Sequence, residues 1–325
     1  MPMQRLPTST SKLVTCAQII TSVSSVVKEL VENALDAEAT NIDIKLEGNG
    51  LDLIEVKDDG CGIAKTDMPN MCLPCYTSKV CGYEDLDKLQ TYGFRGEALS
   101  AICSVADVTV TTRTSEDEFA MAYAVNDCGN IVTAKPSHLN KGTLVTVSGL
   151  FRKVPVRKNY LNSGRRAAEE LKRVDNIVKS LAVIHPGLRV TFRHNKCLLW
   201  QKSACSTLCQ SLMQIVGHFV SSKLEELLLR ETELSVDMLV PRRETENLAV
   251  LCLSNVDCMM LYINNRPVRY KKLEKMVLKY ISECFSGQPL THKYPYCLVS
   301  IVISPGEVDA NLEPNKTRVM LKEEI

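Results

Sequence analysis

Apolar and polar positions follow two different periods along this chain, and each change of period marks a predicted element. Between residues 18 and 37 the apolar positions recur with the 3.6-residue period of a helix. Polar residues gather on the opposite side, so we predict an amphipathic helix with an acidic stripe. The apolar positions are Val23, Val27, Leu30, Val31 and Ala34, and the polar ones are Ser22, Glu29, Glu32, Asn33 and Asp36.

The period-two alternation of a half-buried strand follows at residues 41–46 and 52–56. Gly48, Asn49 and Gly50 lie between these stretches and predict an antiparallel hairpin. Further strands are predicted at 108–113, 120–125, 142–148, 188–194 and 198–201, with helices at 93–102 and 163–184. This order predicts an α+β unit with a mixed, largely antiparallel sheet.

A second unit is predicted from residue 205, because a helical stretch at 207–219 follows the last strand and a polar break. Its remaining elements are predicted as strands at 234–241, 248–253, 259–264 and 297–304 and a helix at 271–285. We therefore expect two domains, 1–204 and 205–325. With 325 residues, 45% of them hydrophobic, the chain is large enough to form both.

Charge is segregated along the chain, although the net charge is only +1. Residues 28–59 hold ten acidic and three basic side chains, whereas residues 151–173 hold eight basic and two acidic ones. No apolar stretch reaches the ~18–20 residues of a membrane span, so we expect a soluble, intracellular protein. Of the fourteen cysteines, Cys72 and Cys75 form a CxxC with Cys81 nearby, but zinc needs a second pair that the sequence lacks.

Three short segments could carry chemistry. Glu29 and Asn33 are four residues apart, so they lie on one helix face, where a carboxylate could activate water and an amide oxygen could coordinate Mg²⁺. Residues 58–62 contain two glycines, and residues 93–99 form a paired-glycine turn that leads into a helix, a natural anion site. Taken singly, the first segment could equally be a solvated acidic face and the second an ordinary turn.

In this order, the segments resemble the motifs of the GHKL ATPases, which include gyrase, Hsp90, histidine kinases and MutL. Residues 29–37 are similar to the first motif, 58–63 to the second, and Gly142-Thr143 to the last. Residues 76–79, 92–99, 263–268 and 308–316 resemble the MutL family of mismatch repair proteins in particular. Residues 18–23 and 135–139 are similar to its eukaryotic post-meiotic segregation branch.

The resemblance implies a Bergerat-type ATP-binding domain, followed by a smaller α/β transducer domain of the ribosomal S5 domain 2-like type. It implies that Glu29 is the general base, that Asn33 holds Mg²⁺ and that Asp58 accepts a hydrogen bond from the adenine amino group. Gly62 would let the nucleotide approach, and Thr143 would lie behind the base. The implied phosphate-binding residues are Thr77, Ser78, Lys79, Gly93, Phe94, Arg95, Gly96, Glu97, Ala98 and Leu99, in a mobile lid, and Lys316, at the terminal phosphate.

The family also implies a function. ATP would order the lid and allow two such domains to dimerise, so slow hydrolysis would act as a switch. Implied partners are DNA bound without sequence preference, a second MutL homologue that pairs through a C-terminal region beyond this chain, and MutS-type proteins, all in the nucleus. The metal-binding endonuclease motif of some relatives is not expected here. Alternatives left open are an ATP-binding scaffold with negligible hydrolysis, a GHKL chaperone or topoisomerase ATPase region, and a non-enzymatic DNA-binding module.

Three positions depart from the family pattern. Asp59 stands where Asn is usual, Glu38 where Gly is common, and Pro74-Cys75 where a basic residue is usual. We therefore expect a lid that moves or binds phosphate differently, and weak ATP affinity unless Mg²⁺ compensates for the charge of Asp59.

A basic block predicts contact with the phosphate backbone of DNA, although a solvated helix face would give the same pattern. Its members, with one from the second unit, are Arg152, Lys153, Arg157, Lys158, Arg165, Arg166, Lys172, Arg173 and Arg266.

Overall fold

A computed structural model describes residues 18–80, 82, 91–93, 95–245, 247–285, 293–309 and 320–321. Phe94, Lys316 and most of the 308–316 segment lie outside these described residues. The chain divides into two compact units. One comprises the chain up to Gly82 with Thr91–Val178 and Leu188–Ser203, and the other includes Lys179–Gly187 and everything from Ala204. The second unit thus includes a short segment that the sequence had placed in the first domain.

The first unit is built on an eight-stranded sheet with the order β5-β4-β3-β6-β2-β1-β7-β8. All neighbouring strands are antiparallel except β1 and β7, which confirms the predicted mixed sheet and hairpin. The strands are β1 Asn41–Glu47, β2 Leu53–Asp58, β3 Asp107–Arg113, β4 Ala120–Val125, β5 Ile131–Ser137, β6 Gly142–Ser148, β7 Arg189–His194 and β8 Cys197–Lys202.

Its helices are α1 Val23–Asp36, α2 Ala98–Val105, α3 Pro155–Leu161 and most of α4 Gly164–Ile184, whose last six residues belong to the second unit. The predicted helix at 93–102 begins later, at Ala98, because Gly96 has a left-handed φ of 61°. The sequence missed β5, whose side chains are almost all exposed and therefore show no period-two alternation. It also missed α3, which begins at Pro155 in the first helical turn, a position that proline favours.

The second unit has a five-stranded sheet with the order β13-β12-β15-β10-β9, in which only β12 and β15 are parallel. These strands are β9 Leu224–Arg230, β10 Leu234–Pro241, β12 Met259–Ile263, β13 Arg266–Pro267 and β15 Cys297–Ile303. Two short pairs join β11 Cys252–Leu253 to β14 Tyr294–Pro295 and β16 Val308–Asp309 to β17 Met320–Leu321. The helices are α5 Leu208–Val216, α6 His218–Ser221 and α7 Lys271–Cys284.

Two predictions for this unit were wrong, and one strand was missed. The helix expected at 207–219 is broken at Gly217, whose φ is 86°. The strand expected at 248–253 is mostly a 3-10 turn, Leu248–Leu251. The sequence missed β9, because its charged and leucine residues, Leu-Glu-Glu-Leu-Leu-Leu-Arg, have the composition of a helix.

Candidate active site

The candidate active site includes α1, whose first residue is fixed by an N-terminal cap. Ser22 caps the helix: its Oγ accepts from the Ser25 amide at 3.2 Å, and Ser25 Oγ accepts from the Ser22 amide at 3.1 Å. Leu30 and its apolar neighbours are buried, whereas Glu29 and Asn33 are half-buried. Since these two residues are one turn apart, a carboxylate and an amide are presented on one side of the helix.

The ammonium group of Lys79 contacts two polar side chains near the C-terminal end of α1. Lys79 Nζ donates to Asn33 Oδ1 at 2.9 Å and lies 2.5 Å from Asp36 Oδ2. The side chain of Asp36 is only 3% exposed, so this is a shielded ion pair. The structure therefore brings together Asn33 and Lys79, which the resemblance had assigned separately to magnesium and to phosphate.

Asp36 also holds the segment before the paired-glycine turn. Its Oδ1 accepts from the Tyr92 amide at 2.7 Å, and its Oδ2 accepts from the Gly93 amide at 2.9 Å. A Cβ at Gly93 would lie 3.0 Å from Lys79 Nζ and 3.3 Å from Asn33 Oδ1. Sequence reasoning saw Asp36 only as part of the acidic stripe. Its spacing of three from Asn33 indicated that the two side chains share a helix face. The contact to Gly93 could not be read from the sequence, because it joins positions 57 residues apart.

The second cluster is built around Asp58, which ends β2 and is buried. Its Oδ1 accepts from the amides of Gly60 at 2.9 Å and Thr143 at 3.1 Å. Burial raises the pKa of Asp58 to about 6, the two backbone hydrogen bonds act to lower it, and the charge of Asp59 raises it further. Both bonds are accepted by Oδ1. Thr143 is buried behind this carboxylate, with its Oγ1 3.3 Å from Thr112 Oγ1.

The glycines of the second and last motifs are required by the backbone. Gly62 has a φ of 77°, and a Cβ there would lie 2.4 Å from the Arg113 carbonyl oxygen. At Gly142, with a φ of 125°, a Cβ would lie 2.1 Å from the carbonyl oxygen of Asp58. The sequence had assigned Gly62 to nucleotide approach alone, but the structure adds a close approach of two loops. Glycine is the residue that accommodates both demands.

The predicted phosphate-binding residues fall into two segments that meet. Thr77 and Ser78 are exposed, and Thr77 Oγ1 accepts from the Lys79 amide at 3.2 Å. A Cβ at Gly96 would lie 2.2 Å from the Tyr76 carbonyl oxygen, so the two segments are in contact. Arg95, Gly96, Glu97, Ala98 and Leu99 are half-buried at the start of α2.

The three departures from the family pattern have local structural roles. Asp59 accepts from the amides of Thr40 at 2.7 Å and Asn41 at 2.8 Å. Burial acts to raise the pKa of Asp59, but these bonds and one from the Thr40 hydroxyl outweigh burial and hold it below its usual value. Glu38 and Cys75 both have left-handed φ values, 57° and 66°. Glycine adopts such values without strain, which explains why relatives commonly have glycine at position 38.

The basic block is less uniform than its sequence suggests. Arg152 and Lys153 are exposed but pair with Asp107 and Asp127, and half-buried Arg157 donates to the Ile20 carbonyl at 3.0 Å. On α4, Arg165 pairs with Glu169, and the Arg166 guanidinium lies 3.5 Å from the centre of the Tyr160 ring. Lys158 is half-buried, whereas Arg165, Arg166, Lys172 and Arg173 are exposed.

Arg266 corrects the predicted DNA-binding set. It lies in β13 with only 8% of its surface exposed. A buried guanidinium cannot reach a DNA backbone without leaving its site, so we remove Arg266 from that surface.

Nothing in the sequence indicated the role of Glu170. This residue is buried in α4, accepts from the Ser24 amide at 2.8 Å and pairs with Arg173 at 3.2 Å. It thereby holds the start of α1.

The fold and this arrangement of motifs define a GHKL ATPase. A family model described as "Histidine kinase-, DNA gyrase B-, and HSP90-like ATPase" matches residues 20–142, and one described as "DNA mismatch repair protein, C-terminal domain" matches residues 212–325. The chain belongs to the MutL family of DNA mismatch repair proteins. The second match agrees with the predicted transducer domain.

Individual relatives agree with this assignment. The chain is 40% identical to "PMS1 protein homolog 1" of Homo sapiens over 98% of its length, which supports the post-meiotic segregation branch, and 34% identical to "DNA mismatch repair protein MutL" of Limosilactobacillus reuteri over 96%. It spans 34% and 44% of these two relatives.

Solved structures show the same fold. The "N terminal domain of a DNA repair protein" has a TM-score of 0.77 at 26% identity, covering 95% of this chain and 92% of that one. The "Aquifex aeolicus MutL ATPase domain complexed with ADP" has a TM-score of 0.62 at 24% identity, covering 88% and 93%. Across the described residues, no helix has the length and apolar character needed to cross a membrane.

Proposed function

We propose that this chain is the ATPase region of a MutL-type mismatch repair protein, which binds ATP with Mg²⁺ and hydrolyses it slowly as a conformational switch. The observation that carries the proposal is the convergence of Asn33, Lys79 and Gly93, with Glu29 one helical turn before Asn33 on α1. Three segments that are distant in sequence meet at one polar site, and the base and the metal ligand share a helix face. A scaffold that binds ATP without hydrolysis would not require Glu29 there.

Each residue has a defined role in this proposal. Glu29 takes a proton from the attacking water, and ionised Asp58 accepts from the adenine amino group, which guanine replaces with an acceptor. Thr143 and Gly62 border the base. Backbone amides at the start of α2 face the phosphates. The phosphate-binding set comprises Thr77, Ser78, Lys79, Gly93, Arg95, Gly96, Glu97, Ala98 and Leu99, with Phe94 and Lys316 as proposed members outside the described residues.

The residues present fit Mg²⁺. Asn33 supplies a hard oxygen ligand of the kind that Mg²⁺ accepts, and this oxygen already contacts a cation, the ammonium of Lys79. When bound, Mg²⁺ would neutralise the charge that develops on the phosphate oxygens. Asn33 would hold the metal, and Lys79, whose ammonium contacts the same oxygen, would bind phosphate.

The wider role follows the family. Nucleotide-dependent ordering of the lid would allow dimerisation, with a second MutL homologue as partner, and would signal to MutS-type mismatch-recognition proteins in the nucleus. Non-sequence-specific DNA contact is assigned to the exposed basic residues of the first unit, above all those of α4. The charge on that helix supports backbone contact rather than base recognition.

Phosphate release by purified Glu29→Ala tests the central assignment. Loss of a general base lowers the hydrolysis rate by about 10²- to 10⁴-fold, while ATP binding should be retained. Glu55→Ala, which removes a half-exposed carboxylate from β2, is the matched control and should hydrolyse ATP at the wild-type rate. Equal rates for Glu29→Ala and wild type would contradict the mechanism, and no hydrolysis by wild type would favour the ATP-binding scaffold.

A further inference from the structure

The outer strand of the second unit presents an apolar edge. Within the described chain, β9 has β10 as its only hydrogen-bonded neighbour. Three successive leucines on β9, Leu227, Leu228 and Leu229, are 43%, 60% and 43% exposed. Successive strand residues point to opposite faces, so apolar side chains reach solvent on both faces of this edge. Natural proteins usually protect such an edge, because its free backbone groups can pair with another strand.

One apolar face of the sheet continues onto β9. Leu227 and Leu229 lie opposite Met238 and Val236 of β10. Those two residues pack against a buried cluster that includes Val299. The same apolar layer therefore extends from the core to β9 and ends there in solvent. A further strand beside β9 would cover it.

The hydrogen bonds to β10 decide which backbone groups of β9 are directed outward. The Glu231 amide donates to the Leu234 carbonyl at 2.8 Å, and the Lys223 carbonyl accepts from the Arg242 amide at 2.9 Å. Residues in an antiparallel strand alternate between bonding one neighbour and the other. The odd-numbered residues of β9 therefore bond β10. The even-numbered ones, Leu224, Glu226, Leu228 and Arg230, direct their N–H and C=O groups outward.

We propose that β9 is a self-association surface on which two copies of this chain pair antiparallel, with Leu228 on the two-fold axis. This register lets outward-directed residues bond one another, with Leu228 opposite itself. Glu226 then lies opposite Arg230 of the second copy, and this charge pair occurs twice by symmetry. On the other face, Leu227 lies opposite Leu229 of the second copy.

Neighbouring registers lack this complementarity. A centre at Leu227 would place Glu226 opposite Leu228, and a centre at Leu229 would place Leu228 opposite Arg230. Arg230 already pairs with Asp237 of its own chain, and its Nη1 donates to the carbonyls of Leu229 and Val236. A guanidinium has five donors, so Nε and the rest of Nη2 can still bind a second carboxylate. The favoured register leaves one like-charge pair, Glu225 opposite Glu231 of the second copy, at each rim.

Charge exchange tests the register. The dimer dissociation constant of the 325-residue chain would be measured by sedimentation equilibrium without nucleotide, so that ATP-dependent dimerisation does not contribute. Glu226→Arg and Arg230→Glu should each weaken the dimer by roughly tenfold, because each puts two like-charge pairs in the interface. The double variant restores opposite charges and should recover most of the wild-type affinity. Unfolding midpoints within the series identify any variant that fails to fold.

Glu225→Arg is the matched control, because it makes the same charge change one residue away. In the proposed register it replaces a like-charge contact with Glu231 by an attractive one, so its dimer should be as tight as wild type or tighter. A wild-type chain that stays monomeric throughout the concentration series would overturn the proposal. Equal weakening by Glu225→Arg and Glu226→Arg, or a folded double variant that fails to recover affinity, would overturn the register.

Discussion

The ammonium group of Lys79 lies 2.5 Å from Asp36 Oδ2, and this ion pair ties the 77–79 segment to the last turn of α1. Asp36 also accepts from the Tyr92 and Gly93 amides, so one carboxylate holds two segments of the proposed lid. Charge-assisted bonds of this kind are the stronger ones in proteins. These contacts therefore anchor the proposed lid to the helix that carries the proposed base.

Asp36→Asn should release this anchor. The amide can accept through only one atom, so it cannot retain both the Tyr92 and the Gly93 contacts while also holding Lys79. A hydrogen bond to a charged group contributes about 1.5–3 kcal/mol, so exchange of one or both of these backbone amides should accelerate by about 10- to 100-fold. Hydrogen exchange resolved to single amides measures this directly.

Asp59→Asn is the control for that measurement, because Asp59 holds a different pair of amides, those of Thr40 and Asn41. Both amides donate to the same oxygen, Oδ1, and asparagine keeps one accepting oxygen, so exchange at Thr40 and Asn41 should change little. Exchange at Tyr92 and Gly93 should not change. Unaltered exchange at Tyr92 and Gly93 in Asp36→Asn would show that Asp36 does not anchor the lid.

ATP affinity should fall in acid because of Asp58. Burial raises the pKa of this carboxyl to about 6. The ionised carboxylate only accepts hydrogen bonds, so it matches the donating amino group of adenine, whereas the protonated carboxyl carries an O–H donor that does not. Above the pKa the dissociation constant should be flat, and below it the constant should rise by about tenfold per pH unit. Calorimetric titration from about pH 5 to pH 8 covers the transition.

Inosine triphosphate provides the opposite case, because its base has a carbonyl in place of the amino group. Protonated Asp58 could donate to that carbonyl, so inosine triphosphate should bind more tightly as the pH falls through about 6. Parallel pH profiles for the two nucleotides would remove Asp58 from base recognition.

The sequence predicted the elements that carry strong periodicity and the motifs that they display. It placed α1 and the β1–β2 hairpin, because Leu30 and its neighbours recur at helical spacing before the alternation begins. It could not show that Lys79 reaches Asn33, since the contact joins residues 46 positions apart. Nor could it show that Arg266 is buried, because a charged residue next to a turn gives no local sign of burial.

Gly62→Ala should destabilise the first unit. A Cβ would lie 2.4 Å from the Arg113 carbonyl oxygen, and the φ of 77° is unfavourable for alanine. The strained backbone alone costs on the order of 1–3 kcal/mol, and displacement of Arg113 adds to it. Urea unfolding should show the loss, accompanied by weaker ATP binding because Asp58, at the end of β2, immediately precedes this loop.

Gly164→Ala is the matched substitution, because Gly164 begins α4 and a methyl group added there would meet open space. It should be neutral or stabilise the protein by up to about 1 kcal/mol through reduced freedom of the unfolded chain. If Gly62→Ala behaved like Gly164→Ala, the close approach of the two loops would not contribute to stability.

Charge reversal on α4 tests the proposed DNA surface. Arg165 is highly exposed and pairs with exposed Glu169, and Arg166 is exposed over Tyr160, so Arg165→Glu/Arg166→Glu should not disturb the core. If both arginines contact phosphates, DNA affinity should fall, and the slope of log K against log salt should decrease in magnitude by about two. Arg193→Glu makes the same kind of change at an exposed position of β7 outside the basic block and should leave the slope unchanged. An unaltered slope in the double variant would place DNA elsewhere, because released counterions report the phosphates that the protein neutralises.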